Sequence, residues 1–96
     1  MNPPTLTPKK LTTGRPPSFE PLPAKAFGLT IRGLREERGI AQDAFALLAK
    51  VDRSYYGKLE RGERQPTLGL MLRIATALGV PASELVAQTE MRLKAL

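Results

Sequence analysis

A chain of 96 residues holds one small domain, and with aromatics at only 5% its core has to be built mainly from Leu, Ile, Val and Ala. A net charge of +6 favours a polyanionic partner, nucleic acid first and an acidic membrane second. The absence of Cys excludes disulfides and thiolate chemistry, and the absence of His removes the commonest general base and metal ligand.

Seven of the nine prolines fall in residues 1–23. Proline removes a backbone donor and pushes its predecessor out of the helical region, so residues 1–25 are expected to form a flexible tail. That tail carries Lys9, Lys10, Arg15 and Lys25 against Glu20 alone, and reads either as a passive linker or as a basic arm touching phosphates or a partner. It lacks a signal-peptide core, and no apolar run approaches the roughly 18 residues of a membrane span. A soluble, cytoplasmic protein is expected, with no membrane partner.

From Ala26 helical periodicity takes over. Phe27, Ile31 and Leu34 share one face of a first helix that Gly39 closes. "QDAFALLAK" is a second short helix, with Phe45, Leu48 and Ala49 in register. "RSYYGKLER" is a third, capped by Asp52 and ended by Gly62. Thr67 caps a fourth, in which Leu68, Leu72, Ile74, Ala75 and Leu78 are expected to form the buried stripe before Gly79. A fifth opens near Pro81 or Ser83. With no strand-period alternation and no repeat, the fold class is all-α: five short helices in a domain spanning 26–88, with 89–96 either prolonging the last helix or fraying.

Residues 42–61 place two helices on either side of a short turn, roughly "KVDR". Phe45, Ala49, Val51, Tyr56 and Leu59 are the positions that must be apolar for a steep crossing, and Ala46 is small where the helices approach. This is a helix-turn-helix pattern. It leaves Arg53, Ser54, Tyr55 and Lys58 on the outer edge of the third helix.

The phrases "IRGLREERGIAQDAFALLAKV", "DRSYYGKLERGERQPTL" and "LRIATALGVPASEL" together resemble the lambda-repressor/Cro (XRE-like) helix-turn-helix regulators over residues 27–87, and the middle phrase is similar to restriction–modification controller proteins. The resemblance implies that the third helix enters the DNA major groove. Arg53, Ser54 and Tyr55 would then face base edges, with Arg53 suited to guanine O6 and N7. Gln42, Lys50, Lys58, Arg61 and Arg64 become phosphate candidates. It also implies a partly buried ion pair between Arg35 and Glu60 that fixes the third helix against the first, and a dimer surface at the fifth helix and the loop before it.

Several residues depart from the family pattern. Lys50 stands where Gly is common, so it takes a left-handed conformation at about 1 kcal/mol or the turn differs. Gly57 interrupts the third helix, Ala41 replaces a Ser or Thr cap, and Leu29 and Leu47 are apolar where polar residues are usual, while Leu48 is expected to be partly buried.

The expected function is a DNA-binding transcriptional regulator acting on double-stranded DNA as a homodimer. A protein-interaction module, such as the antitoxin of a toxin–antitoxin pair, is the alternative. No enzyme activity, cofactor or metal site is expected.

Overall fold

The computed structural model describes residues 19–96. Among the described residues five helices follow one another: α1 (Pro21–Glu37), α2 (Gln42–Ala49), α3 (Arg53–Glu60), α4 (Leu68–Leu78) and α5 (Ala82–Ala95). None is long and apolar enough by itself to cross a membrane.

The first helix starts earlier than expected. Pro21 and Pro23 sit inside its first turn, which places Lys25 on a helix rather than in a tail. The physical reason is that first-turn amides have no intrahelical acceptor, so a proline there loses nothing, and its fixed φ already suits the helix. Lys9, Lys10 and Arg15 lie outside the described residues. At the other end, α5 continues to Ala95, so residues 89–95 prolong the last helix.

Two caps form as the sequence dictates. Asp52 accepts from the Tyr55 amide at 3.0 Å and Thr67 accepts from the Leu70 amide at 3.1 Å. Ala41 offers no side chain to the start of α2.

The core gathers Phe27, Ile31 and Leu34 from α1, Phe45, Ala46 and Ala49 from α2, Tyr56 and Leu59 from α3, Ile74 and Leu78 from α4, and Leu85 from α5. The rings of Phe45 and Tyr56 meet at 5.3 Å, tilted by 49°, and hold the two central helices together. One stripe differs from expectation. Leu70, Ile74, Ala75 and Leu78 are buried in α4, whereas Leu68 and Leu72 are 66% and 49% exposed. The helix carries Leu at 68, 70 and 72, so two apolar registers compete, and the row Leu70–Ile74–Leu78 is the one that meets α1 and α2.

Gly28 of α1 lies directly against the backbone at the end of α3. A Cβ there would sit 2.5 Å from the Glu60 carbonyl oxygen and still nearer that of Leu59. Both obstacles are backbone and cannot turn aside. Gly28→Ala is therefore expected to lose about 1–3 kcal/mol of stability despite the better helix propensity of Ala. Gly69, in α4, faces open space. Gly69→Ala is expected to gain up to about 1 kcal/mol. Urea unfolding of both variants checks the pair, and equal midpoints would refute the close approach.

Candidate nucleic-acid interface

Glu60, at the end of α3, is the residue that fixes this helix. It accepts from Arg35 Nε at 2.7 Å and from Arg35 Nη2 at 3.0 Å, a two-point pair with side chains only 9% and 2% exposed. Arg35 Nη1 also donates to the Ile40 carbonyl at 2.7 Å, and Gln42 Nε2 donates to Glu60 at 2.8 Å. One carboxylate thus ties together α1, the start of α2 and the end of α3. Burial alone would push the Glu60 carboxyl up, but Arg35, then the nearby Tyr56 hydroxyl and Gln42, outweigh it and hold it below its usual range. Its bond to Arg35 raises the guanidinium in turn. Burial, and then the neighbouring Glu60 carboxylate, also push the Tyr56 phenol up, although among the described residues its hydroxyl has no partner in full hydrogen-bond geometry.

With the inner face locked, the other edge of α3 points away from the core. Arg53 and Ser54, in its first turn, are exposed. Tyr55 is half-buried and packs against the core, so only part of its ring faces outward. Lys58 is also half-buried. Gln42, Asp43, Asp52, Arg53, Ser54, Gly57 and Arg61 line a shared polar cleft between the starts of α2 and α3.

The phosphate candidates divide by what already holds them. Gln42 commits its side-chain donor inward to Glu60. Arg61 turns its fork onto Glu63, at 2.9 and 3.3 Å, and this contact draws the exposed Glu63 carboxyl below its usual range. Arg64 is exposed and donates to the Glu63 carbonyl. Lys50 is exposed at the tip of the turn, with φ 60 and ψ 45. It is the one non-glycine residue with positive φ among those described, so the turn keeps its usual path and Lys bears the strain. Lys50→Gly is expected to raise stability by up to about 1 kcal/mol. If the ammonium meets a phosphate, the same change weakens DNA binding, so melting and affinity move in opposite directions; a parallel rise in both would exclude the contact.

Gly57 faces Gln42 and Arg61. A Cβ there would lie 3.2 Å from Arg61 Nη1 and 3.6 Å from Gln42 Oε1. The glycine thus makes room for two side chains within the cleft. Sequence reading missed three contacts here: Gln42 with Glu60, Arg61 with Glu63, and Arg53 Nη1 with Asp43 Oδ2 at 3.5 Å. Only the Arg61–Glu63 spacing offered a local signal.

Two helices joined by a tight turn, the second exposing Arg53 and Ser54 in its first turn and anchored through its far end, define a helix-turn-helix domain. Residues 31–85 match the HTH_3 helix-turn-helix family, and the chain belongs to it. The chain is 37% identical over 68 residues to the HTH-type transcriptional regulator RamB of Mycobacterium tuberculosis, covering 71% of this chain but only 14% of RamB. It is 35% identical over 65 residues to the control protein C.MunI of Mycoplasma sp, covering 67% of this chain and 88% of C.MunI. Among solved structures, the restriction-modification controller protein C.AhdI from Aeromonas hydrophila aligns with a TM-score of 0.63 at 42% identity, over 65% of this chain and 94% of that one. The resemblance read from the sequence, and the five-helix fold it implied, are borne out.

Proposed function

We propose that this chain is a sequence-specific regulator that binds double-stranded DNA as a homodimer on an inverted-repeat operator, with α3 in the major groove. The observation that carries this reading is the division of α3. Tyr56, Leu59 and Glu60 are buried and fix its position, while Arg53 and Ser54 are exposed at its first turn, where base edges are read in this motif. The net charge of +6 supports a polyanionic partner. RamB and C.MunI, a transcriptional regulator and a control protein by name, favour this function over an antitoxin role. The dimer surface proposed is α5 with the loop before it, where Val86 and Met91 are exposed.

Selection of duplexes from a random library, followed by sedimentation of the complex, tests the whole reading. The expected result is an inverted repeat with half-sites one or a few helical turns apart and two chains per repeat. Recovery of unrelated sequences, or one chain on an asymmetric site, would refute it.

A further inference from the structure

Arg53 does not stand alone at the start of α3. Asp43, the second residue of α2, reaches across the cleft, and its Oδ2 accepts from Arg53 Nη1 at 3.5 Å. Both side chains are about two-thirds exposed, so the contact adds little to stability. Its geometry is what matters. A guanidinium has five donors in a fixed fork. Asp43 engages only Nη1, and the Nε–Nη2 edge remains available for a two-point contact. Arg61 is the opposite case, because Glu63 takes its Nε and Nη2 together. The other carboxylate lining the cleft, Asp52, is committed to the Tyr55 amide.

We infer that Asp43 is a specificity-determining, positioning residue: it holds the Arg53 guanidinium so that its free edge meets guanine O6 and N7, and it penalises any phosphate contact that would require Arg53 to leave. The inference rests on the proposed role of Arg53 as a base reader. The two consequences have opposite signs. A guanine contact made while Asp43 still holds Nη1 needs no partner exchanged and loses less side-chain freedom on binding. A phosphate contact that draws Arg53 away forfeits the ion pair and leaves a carboxylate facing the DNA. Asp43 therefore strengthens the correct complex and weakens the incorrect ones. A carboxylate that merely repelled DNA would weaken both alike.

The test uses the full chain, duplexes selected by the wild type, the same duplexes with the guanine opposite Arg53 replaced, and random duplex. The variants are Asp43→Ala, Asp43→Asn, Arg53→Ala, the double Asp43→Ala/Arg53→Ala, and Glu37→Gln as a remote charge control. Asp43→Ala is expected to lower the preference for guanine about two- to fivefold, the range of an exposed ion pair, while random-duplex binding rises. Asp43→Asn, which keeps an acceptor oxygen, recovers part of the preference. In the Arg53→Ala background the Asp43 change no longer alters base preference. The inference is overturned if Asp43→Ala strengthens every duplex by one factor, or if Glu37→Gln reproduces its effect. If Arg53→Ala itself weakens every duplex equally, the base-reading role fails first, and that outcome is visible without any Asp43 variant.

Discussion

Glu60→Ala is expected to destabilise the domain by about 3–5 kcal/mol, because it strands the Arg35 guanidinium in a site from which water is nearly excluded. The carboxylate accepts from Arg35 twice and from Gln42 once, and all three contacts vanish together. Arg35→Ala should cost a similar amount by stranding the carboxylate. Arg38 is a poor control: its Nε donates to the Leu78 carbonyl at 2.7 Å and its Nη1 to the Leu34 carbonyl at 2.9 Å. Arg32, in an exposed pair with Glu36, is the better one, and Arg32→Ala should stay within about 0.5 kcal/mol. Equal losses for Arg32→Ala and Glu60→Ala in chemical unfolding would remove the buried pair from the account. Replacing both partners with Met and Leu is expected to recover much of the loss, since the penalty arises from the unpaired charge.

The same site sets the pH response. The Glu60 carboxyl is held below its ordinary 4.5, so its contribution is complete above about pH 4.5 and is lost as pH falls through the lower folded value. The Tyr56 phenol is raised above its ordinary 10.0, so its contribution is complete below about pH 10 and fades at higher pH. With no histidine in the chain, the melting temperature should be nearly level from about pH 6 to 8. A marked step in that interval would point to a titrating group outside this account.

Arg53→Ala and Lys58→Ala are expected to damage DNA binding in two different ways. A two-point Arg–guanine contact discriminates one base by about 1–3 kcal/mol, so loss of Arg53 should relax preference at one position in each half-site. Lys58, if it meets phosphate, is blind to sequence. Its loss should weaken specific and random duplexes together and reduce the salt slope by about one unit per contact. Affinities measured across a salt series, on the selected duplex and its single-base variants, separate the two. If Arg53→Ala weakens every duplex by one factor, base reading moves to Ser54 and the exposed part of Tyr55. If neither change affects binding, the outer edge of α3 serves something other than DNA.

What the sequence disclosed follows the range of the interactions. Phe27, Ile31 and Leu34 were legible because burial on one helix repeats with the helix. Asp52 and Thr67 were legible because a cap acts three residues away. The Arg35–Glu60 pair joins residues 25 positions apart, and only the family resemblance pointed to it. Asp43 with Arg53, and Gln42 with Glu60, depend on how α2 and α3 cross, which no local pattern encodes. Leu68 and Leu72 were misread because α4 is apolar on more than one face, and periodicity alone cannot choose between faces.

The anchoring of α3 from behind also bears on how readily the domain can be re-aimed. Its pose depends on Tyr56, Leu59 and Glu60, and on Gly28 and Arg35 of α1, while the side chains of Arg53 and Ser54 are exposed. Positions 53 and 54 can therefore change without the helix losing its seat. A library randomised at those two positions should melt close to the parent throughout, and its members should differ in the duplexes they retain. The scaffold then behaves as a holder with interchangeable reading heads, in which new targets arise from surface changes that leave folding untouched.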